Sequence, residues 1–404
     1  MIEFEQALDI ILKNTTVLSK EKIPVEKSIG RILDEDIFSD INMPPFNKSA
    51  VDGYAVIAKD TVSVAYKPVK LKCIGIIQAG ENFCKKLRLG ECVKIMTGAP
   101  LPENSDSVIM FEDTKKSGQY VELKKSVKKN ENVCIKGEDI KKGMKILSKG
   151  KEISVSDIGL IATVGKSFVE VIKKPQVSVL NTGGEIVSPG NKLSKNKIFN
   201  ANGPMLLSLL ESDNIKPSFL GIVKDKPEQL KKAFTVGLNS DIFLVSGGCS
   251  VGDYDIVPNI LKSLGVKNIF HKVNIKPGKP ILFGKRGKTI VFGIPGNPIS
   301  NFLSYFLFVQ PAIYKMMGYK IIGPKFKTGI IKKTFYQKPG RKHFIPVKIS
   351  KKNTNYFLIP IPSHGSADIV SLSKADGFMV AEKNISIIRK NSEVEFITWK
   401  KNYE

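Results

Sequence analysis

Arginine is scarce in this chain. Of 63 basic residues only five are arginine (Arg31, Arg88, Arg286, Arg341 and Arg389), and the other 58 are lysine. Against 38 acidic residues the formal charge is +25. So basic a balance suggests a polyanion such as nucleic acid. Gripping phosphates and base edges, however, favours the planar guanidinium fork. A lysine excess spread over the whole chain reads instead as a solvated surface, and no nucleic-acid partner is expected.

Cysteine is also sparse. The five residues Cys73, Cys84, Cys92, Cys134 and Cys249 are odd in number and form no C-x-x-C pair. That excludes a disulfide framework and a zinc ribbon and fits a reducing compartment. The three histidines, His271, His343 and His364, show neither H-E-x-x-H nor triad spacing, so each is read as structural or surface. Long apolar runs are missing. Phe302–Val309 is broken by Ser304 and Tyr305 and followed by Gln310 and Pro311, which is too short to span a bilayer and predicts a buried helix. The acidic start Met1–Glu5 lacks a signal-peptide pattern. A cytoplasmic protein with no membrane partner is expected.

What is present is a globular composition, 42% hydrophobic and 25% charged over 404 residues, enough for about two to four domains. Phe4, Ala7, Leu8, Ile11 and Leu12 predict an opening amphipathic helix. Between 41 and 140, alternation such as Val69, Leu71 and Cys73 against Lys70 and Lys72, with Gly and Pro punctuation, predicts a β-rich module. From 173 to about 320 the pattern repeats strand, loop, helix. Strands are predicted at Val177–Leu180, Ser218–Val223, Ile242–Val245 and Thr289–Phe292. Helices are predicted at Met205–Leu210, from Pro227 through Phe234, and through Ile260 and Leu264. Such alternation implies a mostly parallel, doubly wound sheet with ligands at its carboxyl edge. From about 323 a C-terminal β-domain follows.

The loops at those strand ends hold the candidate chemistry. Ser246, Gly247, Gly248, Ser250 and Gly252 combine backbone freedom, hydroxyls and a following helix start, which suits a phosphate; the bland alternative is a tight turn. Asp253 and Asp255 follow as caps or as Mg²⁺ ligands. Glu185 and Asp225 lie just past two other strand ends. Lys272, Lys276 and Lys279 stand in a segment read as extended, with Lys272 and Lys276 on one face, either to meet an anion or as a solvated strand. Asp52 and Thr97 sit in Gly/Pro-rich loops that, taken singly, are more often turns than sites.

In order along the chain stand PPFNKSAVDGYAV, IMTGAPLPENSDSVIMFEDT, NTGGEIVSPG, SGGCSVGDYD, IKPGKP and FGIPGNPISNF. Together they resemble the molybdopterin molybdenumtransferase family, known as MoeA, and the related E domain of gephyrin. The resemblance covers essentially the full chain. It implies a multidomain α/β and β fold in four parts: 1–40 with 141–172 as an N-terminal linking domain, 41–140 as an inserted β-rich module, 173–322 as the molybdopterin-binding α/β domain, and 323–404 as a β-barrel-like domain. It implies a homodimer with the cleft shared between subunits, and transient contact with a molybdopterin adenylyltransferase.

The implied reaction takes molybdate and adenylylated molybdopterin, hydrolyses the pyrophosphate link and releases AMP, with Mg²⁺ as cofactor. Matched motif by motif, the implied catalytic residues are Asp52, Thr97, Asp139, Glu185, Asp225 and Asp255, with Glu185, Asp225 and Asp255 on the metal. Ser246, Gly247, Gly248, Ser250, Gly252, Lys272, Lys276, Lys279, Pro295, Pro298, Arg341 and Ser366 are the implied cofactor-binding set. Departures from the family pattern are Asn47-Lys48 for Asp-Asn, Val51 for Met, Gly184 for an acid, and Cys249 where Val is common. Two other readings stand beside this one. A gephyrin-like binding scaffold is disfavoured by the retained Asp52, Thr97, Glu185 and Asp255. A nucleotide-processing enzyme of the competence-damage type is disfavoured by the DGYA and PGNP motifs.

Overall fold

The computed structural model describes residues 1–249, 256–400 and 403. The chain forms two compact units. One is built from Met1–Glu21 and Ile172–Glu404, the other from Lys22–Val171. Each unit closes the gap where the chain leaves it. In the first, the Lys173 N–H donates to Ser19 O at 2.9 Å; in the second, the Val25 N–H donates to Ser167 O at 3.0 Å.

The Lys22–Val171 unit is built on a six-stranded sheet. Its order is Ser107–Met110, Gly53–Val56, Glu91–Ile95, Val69–Ile77, Tyr120–Leu123, Thr114–Ser117. Only the Val69–Ile77 and Glu91–Ile95 pair is parallel. Period-two alternation sorts its side chains onto two buried faces. Tyr54, Val56, Cys92 and Ile109 pack on one, and Ala55, Val93 and Val108 on the other. Gly53 is required where the DGY loop enters the sheet, because a Cβ there would sit 2.0 Å from the Ile109 carbonyl oxygen. A helix at Val155–Thr163 starts at a capping box, in which Ser154 and Asp157 satisfy each other's backbone N–H groups.

The other unit opens with the expected helix, Phe4–Asn14, which buries Phe4, Ala7 and Ile11. Its main sheet contains β1 (Val177–Thr182), β2 (Ser218–Val223), β3 (Ile242–Ser246), β4 (Lys267–His271), β5 (Leu282–Arg286) and β6 (Thr289–Ile294). The order is β2-β1-β3-β6-β5-β4. β2, β1, β3 and β6 are mutually parallel, so their carboxyl ends share one edge. Ile242–Val245 is fully buried, as a continuous apolar run in a sheet covered on both faces should be. The antiparallel β4–β5 extension lay outside the sequence expectation. β4 reads Lys-Asn-Ile-Phe-His and lacks such a run.

One expectation is corrected. The segment 272–280 is not extended. Lys272 has φ +102°, its N–H donates to Ile281 O, and the Val273 N–H donates to Lys279 O. The stretch folds back on itself, leaving only Ile275–Lys276 as strand, so period-two reasoning does not apply to Lys272 and Lys276.

After β6 a long buried helical stretch runs from Pro298 to Met316, with a π-helical segment at Tyr305–Val309. This is the helix that the apolar run predicted. The C-terminal strands β7 (Lys327–Ile331), β8 (Lys342–Lys352), β9 (Asn355–Pro360), β10 (Gly377–Ala381) and β11 (Glu393–Thr398) follow. They pair in the cycle β8-β9-β7-β11-β10-β8, which is a closed barrel. Closure removes the unpaired strand edges that would otherwise invite aggregation. Among the described residues no helix is long and apolar enough to cross a membrane.

Candidate active site

In the Lys22–Val171 unit three loops are stitched together. The Ser49 N–H donates to Ala99 O at 3.0 Å, the Ala50 N–H to Asn132 O at 3.0 Å, and the Asp139 N–H to Met43 O at 3.0 Å. The Asn47 Oδ1 accepts the Lys136 N–H at 2.8 Å, so the residue that departs from the family pattern still supplies an acceptor. At this junction Asp52 Oδ1 accepts from both the N–H (2.7 Å) and the hydroxyl (2.8 Å) of Thr97. These two bonds, the backbone one first, hold the Asp52 carboxyl below its ordinary pKa, with Lys94 adding a smaller attraction. Both residues are exposed. Asp139 is also exposed, and its charge, after burial and Glu138, helps push the Cys134 thiol up.

In the other unit the common carboxyl edge gathers the strand-end residues. Asp225, past β2, accepts the Thr182 hydroxyl on one oxygen and the Gly184 N–H at 3.1 Å on the other. The Glu185 carboxylate folds back over Gly183: a Cβ on that glycine would lie 2.9 Å from both carboxylate oxygens. Glu185 and Asp225 are thus two exposed carboxylates on adjoining loops. Gly247 has φ +97°, and a Cβ there would meet Thr182 O at 2.3 Å, so only glycine fits.

The Gly247 N–H donates to Ile294 O at 3.1 Å, so it is not offered to a ligand. Ser246 is buried, and its hydroxyl accepts from Asn301 Nδ2 at 2.9 Å and Asn202 Nδ2 at 3.4 Å. Those amides also donate to the carbonyls of Pro295 and Gly296, at 3.0 and 2.7 Å. The hydroxyl expected to face a phosphate instead pins the PGNP loop against the end of β3. Asn202 was missed because asparagine before Gly-Pro reads as a turn former, and Asn301 because it sits in an otherwise ordinary helical stretch. Their packing inside the sheet edge leaves no local signal. Ser250, Gly252 and Asp255 lie outside the described residues, and Gly248 is half-buried.

The basic and barrel residues form a second cluster. Arg341 Nη1 donates to Ile275 O at 3.1 Å, beside Lys276. Ser366 Oγ accepts from Asn297 Nδ2 at 2.8 Å, and its carbonyl accepts the Ile299 N–H, bracketing Pro298. Lys276 and Lys279 are exposed, and Lys272 is half-buried. His343 joins this cluster unanticipated. Burial first, then Lys276 and Arg341, lower its pKa to about 4. Among the described residues no three His, Cys, Asp or Glu side chains gather closely enough to hold a metal by themselves.

Three family models match along the chain: the MoeA N-terminal region (domain I and II) at residues 2–165, a probable molybdopterin-binding domain at 185–315, and the MoeA C-terminal region (domain IV) at 328–399. A molybdopterin molybdenumtransferase of Staphylococcus epidermidis is 31% identical over 94% of this chain and 91% of its own length. One from Staphylococcus aureus is 32% identical over 93% and 90%. A solved structure of a molybdopterin biosynthesis MoeA protein from Pyrococcus horikoshii is 34% identical, superposes with a TM-score of 0.85 and covers 99% of each chain. With its ordered motifs, its strand-end carboxylates and relatives matched over nearly their whole length, this chain belongs to the molybdopterin molybdenumtransferase, or MoeA, family.

Proposed function

We propose that this protein works in molybdenum cofactor biosynthesis as a transferase. It takes molybdate and adenylylated molybdopterin, seats the metal on the dithiolene, hydrolyses the pyrophosphate link with water and releases AMP. The observation that carries the reading is the matched pair of exposed aspartates, Asp52 with Thr97 and Asp225 with Thr182, each held in place by hydroxyl and backbone donors. Carboxylates fixed in this way are suited to phosphoryl chemistry.

Glu185 and Asp225, with Asp255, are assigned as ligands of Mg²⁺. The donor set fits: Mg²⁺ takes one or two carboxylates and completes its shell with water and substrate phosphates. When bound, the ion draws charge from the scissile phosphate oxygens. Lys276, Lys279, Arg341 and Ser366 hold the oxyanion by charge and hydrogen bonds. Lys272, Pro295 and Pro298 shape that side, and Ser246, Gly247 and Gly248 keep the strand-end loops in register for the nucleotide. Asp139 acts with Asp52 and Thr97 on the reacting end. The working form is a cytoplasmic homodimer of four-domain subunits (1–40 with 141–172, 41–140, 173–322, 323–404), with the cleft shared between subunits. The substrate arrives through transient contact with the adenylyltransferase.

The test is to incubate purified protein with adenylylated molybdopterin, Mg²⁺ and molybdate and to follow AMP. Molybdate-dependent release is expected, and its absence would overturn the reading.

A further inference from the structure

The one parallel pair of the Lys22–Val171 sheet sets two thiols side by side. Cys73 of Val69–Ile77 and Cys92 of Glu91–Ile95 are direct partners in the ladder, and both pack on the face that carries Tyr54 and Ile109. Neighbouring strands lie about 4.8 Å apart, inside the span of about 4.4–6.8 Å between Cα atoms that a disulfide bridges. A bridge also needs the two Cβ atoms to draw slightly closer. The ladder shifts register between Cys73 and Ile76, so the strand is not pinned by continuous pairing on that side. Both cysteines are free thiols in this structure.

The two thiols are not equivalent. Cys73 is half-buried, so a small molecule in solvent reaches it, whereas Cys92 is fully buried. Burial first, then the charge and hydrogen bond of Cys73, push the Cys92 thiol up. Cys92 therefore keeps its proton beside a charged Cys73 and supports that charge with its S–H. The Cys73 Sγ itself donates to Gly75 O at 3.4 Å, a weak bond that does little to retain its proton. An accessible thiol backed by a buried one in the next strand is the arrangement of an attacking and a resolving cysteine. The other two cysteines of this unit are placed differently. Cys134 is partnered by Lys48 across its ladder, and Cys84 lies exposed outside the strands.

We propose that Cys73 and Cys92 form a redox modification site, in which a small disulfide oxidises the pair to a reversible cross-strand bridge. Cys73 loses its proton to water, and its thiolate attacks one sulfur of the oxidant. The oxidant's S–S bond breaks, one thiol leaves, and the other half stays on Cys73 as a mixed disulfide. Cys92 then attacks the Cys73 sulfur and gives its proton to the second departing thiolate. Two S–H bonds become one S–S bond, and two electrons pass to the oxidant, which ends as two thiols. The bridge removes both thiols from further oxidation to acids that no thiol can reverse. It does not depend on the function proposed above.

The probe is oxidised glutathione, incubated with the full-length protein, followed by alkylation of the remaining thiols and mass spectrometric mapping of every cysteine. A Cys73–Cys92 bridge, two hydrogens lighter and opened by dithiothreitol, is expected. It should exceed any pairing that involves Cys84 or Cys134 by about tenfold or more, because its sulfurs are already neighbours. Cys92→Ala removes the resolving thiol and is expected to leave the glutathione adduct trapped on Cys73. Cys73→Ala is expected to leave Cys92 unmodified. A thermal melt confirms that both variants fold, and the wild-type map decides the matter if either does not. Absence of the bridge in the wild-type protein, Cys92 modified as readily in Cys73→Ala, or no adduct on Cys73 in a folded Cys92→Ala variant would each overturn the proposal.

Discussion

Two aspartates, one in each unit, are held by a threonine hydroxyl and a backbone N–H, yet they are used differently. Asp52 takes both bonds on Oδ1 and leaves Oδ2 without a protein donor in either bond. Asp225 spends one oxygen on Thr182 and the other on Gly184, tying the end of β1 to the end of β2. Both arrangements staple two loops, but the first does so through one oxygen while the second spends both. The same residue pair therefore keeps one carboxylate oxygen clear of these bonds in one unit and commits both in the other.

The sharpest way to break this comparison is to remove both carboxylates in turn. Asp52→Ala is expected to lower molybdate-dependent AMP release by about 100-fold or more and to cost about 1 kcal/mol of stability, because the Thr97 N–H and hydroxyl lose their acceptor. Asp225→Ala should lose comparable activity and a similar amount of stability, because the Gly184 N–H and the Thr182 hydroxyl lose their acceptor. A wild-type melting temperature in either variant would show that its carboxylate does not hold its two loops together. Gly53, next to Asp52, and Gly247, packed against Thr182, extend the test. Gly53→Ala and Gly247→Ala each force a Cβ onto a carbonyl oxygen, at 2.0 and 2.3 Å, and each is expected to cost about 3 kcal/mol in denaturant titrations.

The units should also part company in acid. All three histidines lie at 271, 343 and 364, in the unit that holds the barrel. The His343 pKa is about 4 when folded against an ordinary 6.5, so the unfolded chain binds the proton first. Its share of stability is whole above pH 6.5 and is lost as pH falls towards 4. The expected loss is about 3 kcal/mol, read as a pH-dependent denaturation midpoint that flattens in His343→Phe. The smallest expected effect is Thr97→Val. Removing one of the two bonds that hold the Asp52 carboxyl low should let its pKa rise, moving the acid limb of the turnover profile upward.

The parallel strands were legible because a strand buried on both faces must be apolar throughout, as Ile242–Val245 is. β4 and β5 were not, since an antiparallel edge tolerates the mixed residues of Lys267–His271. The fold-back at 272–280 escaped period-two reasoning because it depends on a positive φ at Lys272, a residue type that does not announce one. At the site, acids past strand ends were readable from position alone. The inward turn of Ser246 towards Asn202 and Asn301 was not, because it depends on partners 44 and 55 residues away. His343 was read as structural or surface; its place in a cavity wall beside Lys276 depends on a barrel strand meeting a distant loop.

The bond from Lys173 N–H to Ser19 O has a genetic consequence. Residues on either side of a 150-residue excursion are already hydrogen-bonded neighbours, so Lys22–Val171 sits in the gene as a cassette between two touching splice points. A short turn from Ser19 to Lys173 would leave the sheet and barrel with their own continuous backbone. The excised segment, whose ends meet at Val25 and Ser167, could be grafted or exchanged among relatives without redrawing either core.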